Sequence, residues 1–206
     1  MGRDLPHAVR GNFRHFLPFL PKRLLTRAPR IVLRKECGGV SSPVHIIPTG
    51  WRLADLSGCD GPAFRARHGI APERPVMAYV GRVAFEKNLD FLLRVTEQVR
   101  LDLPDVLSVI AGKGPARASL ERAVARRGRG NNVNFIGYLE RKVELPACYR
   151  AADVFVFASK TETQGLVLLE AMALGVPVVG LAEMGTKDVL RDAASRRTMS
   201  RDLPAC

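Results

Sequence analysis

The sequence predicts an α/β domain built on a doubly wound, Rossmann-like parallel sheet, with a short irregular region before it. Between residues 76 and 181, five short runs rich in Val, Ile, Phe and Tyr alternate with helical patterns. The runs are continuously apolar rather than alternating, as in strands covered on both faces. Three of them close on a glycine, Gly81, Gly112 and Gly137, where a strand would turn toward a helix.

The elements follow in order. Val76–Val80 is the first strand, and Asn88 is placed to cap a helix whose apolar residues Leu89, Leu92, Leu93, Val95 and Val99 recur at helical spacing. Val106–Ala111 is the second strand. Pro115 suits the first turn of the helix after it, which runs to Arg127 and stops at Gly128. Val133–Ile136 is the third strand, Glu144–Ala151 a short helix, and Val154–Ala158 the fourth strand. Leu166–Leu174 reads as a largely buried helix ended by Gly175, Val176–Leu181 as the fifth strand, and Gly185–Asp192 as a last helix. The chain therefore divides into a proline-punctuated basic region (1–50), a Gly/Pro/Ala-rich connector with room for one helical turn (51–75), the regular domain (76–192) and a polar, irregular tail (193–206).

Composition narrows the class. Hydrophobic residues make up 47% of the 206 and charged residues 25%, the balance of a globular protein. The net charge of +12 is uneven: residues 1–35 hold nine Lys and Arg against one acid, Asp4, and so carry +8 of it. A second cluster is Arg117, Arg122, Arg126, Arg127 and Arg129. Such a surface suits nucleic acid, an anionic membrane or a phosphorylated ligand, and does not choose among them. Cysteines 37, 59, 148 and 206 have neither zinc-site nor disulfide-framework spacing, which fits reduced thiols and a cytoplasmic setting. No run approaches a membrane span.

Ligands on doubly wound sheets bind beyond the carboxyl ends of the strands, so the strand-to-helix loops are the candidate sites. The first reads Gly81-Arg82-Val-Ala-Phe-Glu86-Lys87-Asn88. Two cations flank a turn that ends at a helix amino terminus, a natural setting for a diphosphate. The alternative is a solvated loop in which Arg82 and Lys87 pair with Glu86. The second loop, Gly112-Lys-Gly114-Pro115, allows close approach of a backbone to a ligand. Neither G-x-G-x-x-G nor G-x-x-x-x-G-K-[ST] is present, which argues against a dinucleotide enzyme and a P-loop NTPase. The fourth loop carries Glu162 before its helix and Glu170 within it. A carboxylate in so apolar a helix needs partners. Ribose hydroxyls would satisfy both its oxygens, and an ion pair with a neighbouring helix is the alternative.

The motifs Gly81-Arg82-x₃-Glu86-Lys87-Asn88, Gly112-x-Gly114-Pro115, Phe135-x-Gly137 and Glu162-x₇-Glu170-Ala-Met-Ala-x-Gly175-x-Pro177 together resemble the family 4 glycosyltransferases of the GT-B fold, retaining enzymes that use UDP-, GDP- or ADP-sugars. Ile47-Pro-Thr-Gly50 resembles that family's interdomain linker, and residues 13–47 the end of its acceptor-binding domain. The resemblance implies that Arg82 and Lys87 neutralise the leaving diphosphate in place of a metal, with no cofactor beyond the donor. It implies that Glu162 binds donor-sugar hydroxyls and Glu170 the ribose. The amides of Gly165, Leu166 and Val167 would face phosphate or sugar, and Gly112, Gly114 and Tyr138 the base. The partners implied are a nucleotide-diphosphate sugar and a lipid or saccharide acceptor, with peripheral contact to an anionic membrane open and no specific nucleic acid.

Departures from the pattern set further expectations. The family's first domain and its histidine have no match among His7, His15 and His45, and the motif pattern stops after Leu190, so the chain is expected to be partial at both ends. A non-catalytic nucleotide-binding module is the alternative function. A nucleic-acid-binding arm fits less well, because no aromatic-interleaved basic motif is present.

Overall fold

In the computed structural model, residues 59–128, 130–191 and 197–198 are described. They form α1 (Gly61–Arg67), β1 (Val76–Val80), α2 (Leu89–Asp102), β2 (Leu107–Ala111), α3 (Arg117–Arg126), β3 (Val133–Gly137), α4 (Glu144–Ala151), β4 (Val154–Phe157), α5 (Leu166–Ala173), β5 (Val178–Gly180), α6 (Met184–Arg191) and β6 (Arg197–Thr198). The strands make one parallel sheet in the order β3-β2-β1-β4-β5-β6. The first five are those expected from the apolar runs.

Strand order reverses between β1 and β4. β1 pairs with β2 along its whole length, from Val76 opposite Leu107 to Val80 opposite Ala111, and on its other side sets Met77 against Val154. This is the switch point at which the loops leaving two adjacent strands diverge and open a crevice. β1 and β2 are buried throughout, as their unbroken apolar runs require. α2 packs on α3, α1 on α4 and α5 on α6; right-handed crossovers put the first pair on one face and the others on the opposite face. Tyr79, Tyr149, Phe155 and Phe157 are fully buried, and their rings pair at 5.4–6.2 Å between centroids.

The structure corrects several local expectations. The connector at 51–75 holds a two-turn helix, α1, started by Asp60 accepting from the Ala63 amide (2.9 Å) and buried through Phe64. Its anchor is Arg65, a nearly buried guanidinium. Arg65 donates to the carbonyls of Ala151 (2.8 Å) and Arg74 (2.7 Å) and to Asp153 Oδ2 (3.0 Å), which also accepts from the Val76 amide (2.8 Å). A Gly/Pro/Ala-rich stretch does not advertise this, because two of the partners, Ala151 and Asp153, lie 86 and 88 residues on.

Part of the tail read as irregular pairs with β5 as the two-residue strand β6; an Arg-Thr pair has no apolar run to betray it. Asn88 stands at the start of α2 but in the left-handed region (φ 56°), with no side-chain cap bond. α3 begins at Arg117, with Ala116 rather than Pro115 before it. α5 is less buried than its sequence suggests, since Leu166, Val167 and Leu169 are only half-covered. Residues 1–50, including the linker motif and the three histidines, lie outside the described residues. No helix among the described residues is long and apolar enough to cross a membrane.

Candidate functional site

The loops after β1, β2 and β4 meet at the carboxyl edge of the sheet, where β1 and β4 part. The first two interlock through backbone: the Val83 amide donates to the Lys113 carbonyl (3.0 Å) and the Ala116 amide to the Val83 carbonyl (3.1 Å). Glycine is required at both contact points. A Cβ on Gly112, whose φ is +145°, would run into the Gly81 carbonyl, and one on Gly114 into the Val83 carbonyl. The tight approach for which these glycines were singled out is therefore made to a neighbouring loop. The Tyr79 hydroxyl donates to the Arg82 carbonyl (3.0 Å) and fixes the first loop from below.

Lys87 ends a short 3-10 turn, Phe85–Lys87, and crosses the switch point. Its Nζ lies 3.2 Å from Glu162 Oε2, and the two side chains are only 18% and 20% exposed. The other carboxylate oxygen of Glu162 accepts from the amides of Gly165 (3.1 Å) and Gln164 (3.4 Å). Glu162 thus sits at the amino terminus of α5, whose partial positive charge favours a carboxylate. Gly165 precedes the helix in the left-handed region (φ 66°), and Leu166 and Val167 are its first residues.

Arg82 is not part of this cluster: it is 65% exposed, with Glu86 Oε1 at 3.7 Å. Of the two cations expected to pair with Glu86 in the alternative reading, only Arg82 does. Tyr138, 67% exposed just after β3, lies 5.8 Å from the ammonium of Lys113 measured to its ring centroid. Such a cation over an exposed ring leaves the other ring face open for stacking.

Glu170 is buried (6% exposed), but its oxygens are already matched. Tyr149 donates to Oε2 (2.9 Å) and Arg141 to Oε1 (3.2 Å). Ribose hydroxyls are therefore not needed to satisfy it, which corrects the premise on which that role was argued; the alternative of an ion pair with a neighbouring segment is what the structure contains. The two partners differ. Tyr149 is fully buried, with its hydroxyl held well above the usual phenol range by burial and then by the Glu170 charge. Arg141 is 72% exposed, so it is the partner a ligand could exchange. Neither was legible beforehand: Tyr149 reads as a core aromatic of α4, and Arg141 as one charge in Glu140-Arg-Lys142.

Tyr149→Phe removes the buried donor and should lower folding stability by about 1.5–3 kcal/mol, the worth of a hydrogen bond to a charged group. Denaturant titration checks this; a loss below about 0.5 kcal/mol, the scale of a neutral surface change, would show that the bond contributes nothing. Burial also pushes the Cys148 thiol up to about 12, so this cysteine is shielded from thiol chemistry.

Residues 60–199 match the family model of the glycosyl transferases group 1. A D-inositol 3-phosphate glycosyltransferase of Nocardia farcinica is 34% identical over 84% of this chain and 42% of its own length. The crystal structure of the C-terminal domain of a group 1 glycosyl transferase, LpcC of Francisella tularensis, superposes with a TM-score of 0.55 at 25% identity, over 64% of this chain and 70% of that one. Anabaena Alr3699/HepE in complex with UDP-glucose shares the fold, with a TM-score of 0.57 at 23% identity over 68% and 38% of the two chains. This chain spans less than half the length of the curated relatives it matches, 33%, 23% and 42% in three of them.

Proposed function

The chain belongs to the glycosyl transferases group 1 family, and on that basis we propose that it carries the donor half of a retaining, metal-independent, family 4 type transferase. In this reading the nucleotide diphosphate of a UDP-, GDP- or ADP-sugar lies across the switch point between β1 and β4. The relatives' additional length gives room for a second domain that presents the acceptor, a lipid or saccharide, from the opposite side. A cytoplasmic setting with peripheral membrane contact belongs to the same proposal.

The observation that supports it best is the Lys87–Glu162 pair, set where doubly wound sheets take their ligands. Negative charge develops on the diphosphate as the glycosidic bond to it breaks. A cation held in place beforehand stabilises that charge more than it stabilises the bound donor, and so lowers the barrier. Lys87 is held in this way; Arg82, on an exposed and loosely paired side chain, is the more mobile second cation. Glu162 is within the same cluster to meet sugar hydroxyls. The Tyr138 ring and the β2 loop border the side on which the base would stack. Glu170, once Arg141 swings aside, would offer an oxygen to the ribose.

Calorimetric titration of the 206-residue chain with UDP, GDP and ADP, each beside its nucleoside, tests the proposal. At least one diphosphate is expected to bind tenfold or more tighter than its nucleoside. Equal affinity for diphosphate and nucleoside would remove the loop after β1 from the site, and binding without sugar transfer by the complete protein would favour a non-catalytic module.

A further inference from the structure

We propose that Glu162 is an internal competitor for the donor diphosphate. Its carboxylate holds the Lys87 ammonium and the Gln164 and Gly165 amides that lead into α5, groups a diphosphate would take, so the donor enters by exchanging with it. This inference rests on the donor reading above.

The geometry is that of an occupied anion site. One oxygen of Glu162 engages Lys87 at 3.2 Å and the other the Gly165 and Gln164 amides at 3.1 and 3.4 Å. Carboxylates and phosphates are interchangeable guests at helix amino termini. With four-fifths of each side chain covered, the pair is not one that solvent screens away.

The exchange requires only a side-chain rotation. The main chain at Glu162 is pinned: its carbonyl accepts from the Gly185 amide (2.9 Å), and Gly185 packs so closely that a Cβ there would strike the Thr163 carbonyl. The carboxylate can therefore leave while the loop stays, on the fast timescale of rotamer changes. The order of events follows from exposure. Arg82, largely in solvent, meets the diphosphate first; Lys87 is then drawn from Glu162. The released carboxylate becomes available for hydroxyls of the sugar joined to that diphosphate. Phosphate binding and sugar recognition are coupled through this one side chain.

The test uses inorganic pyrophosphate, a probe that needs no knowledge of the base, with the 206-residue chain. Glu162→Gln keeps an acceptor for the Gly165 amide and removes the charge. It should bind pyrophosphate about five- to tenfold more tightly than the parent, the worth of a partly covered ion pair. In a Lys87→Gln background the same substitution should gain less than about twofold, because the competition runs through Lys87. Glu162→Ser, whose hydroxyl can accept from the amide two residues on, repeats the measurement, and thermal melts confirm that each variant is folded. Gain in either folded variant that disappears with Lys87 supports the exchange. No gain, or a gain that persists without Lys87, overturns it while leaving the donor reading intact if the parent binds pyrophosphate. Failure of parent and both variants to bind pyrophosphate, UDP, GDP or ADP overturns both.

Discussion

Gly112→Ala is expected to cost about 3–5 kcal/mol of folding stability, among the largest effects of any single methyl group. The added Cβ would lie on the carbonyl of Gly81, and a carbonyl in the backbone cannot rotate away as a side chain can. The φ of +145° adds strain of about 1–3 kcal/mol for any residue with a Cβ. Relief would require the loops after β1 and β2 to separate, breaking the bonds of Val83 to Lys113 and of Ala116 to Val83. Those loops lie beside the candidate site, so a variant that survives should also lose nucleotide affinity. Urea denaturation measures the first effect. A midpoint within error of the parent's would mean that the two loops do not interlock in solution.

Lys87→Ala should weaken nucleoside-diphosphate binding by about 1.5–3 kcal/mol, or roughly ten- to 150-fold, the scale of a charge-assisted hydrogen bond. The loss is that of an ammonium held in place before the donor arrives, on a side chain only 18% exposed. Nucleoside without the diphosphate should bind parent and variant alike. Arg82→Ala should cost less, because that guanidinium is mostly solvated and its one acidic neighbour stands at 3.7 Å. Titration of both ligands against both variants decides it: equal losses for diphosphate and nucleoside would mark Lys87 as a structural residue.

The central strands and the loops were legible in the sequence because each is written locally. Val76–Val80 is apolar at every position, and glycine marks where it ends. The functional reading of those loops came from motif spacing, which the fold brings together at one edge. What spacing could not show was partnership over distance. Lys87 and Glu162 are 75 residues apart, and Tyr149 and Glu170 are 21 apart. Arg65 finds Asp153 across 88 residues. A local reading sees Lys87 beside Glu86 and pairs them, whereas the 3-10 turn carries the ammonium toward β4 instead. Glu170 was correctly read as a carboxylate in need of partners, but their identity depends on the fold bringing Tyr149 of α4 and Arg141 of the loop before it to α5.

The Arg65 network also determines where the folding unit starts. One guanidinium gathers the carbonyl that closes α4, the turn before β1 and the aspartate before β4, and that aspartate in turn receives the first amide of β1. The lower rim of the sheet is thereby fastened to a helix that ends at Arg67, well before its first strand begins at Val76. Dissecting this protein at residue 75, where the regular pattern begins, would strip the buried Ala151 carbonyl and the Asp153 carboxylate of their donor and bare the face of α4 that α1 covers. A minimal domain has to be cut ahead of Asp60. A swivel relative to any segment that precedes this unit has to lie on the amino-terminal side of that residue, so that α1 travels with the sheet.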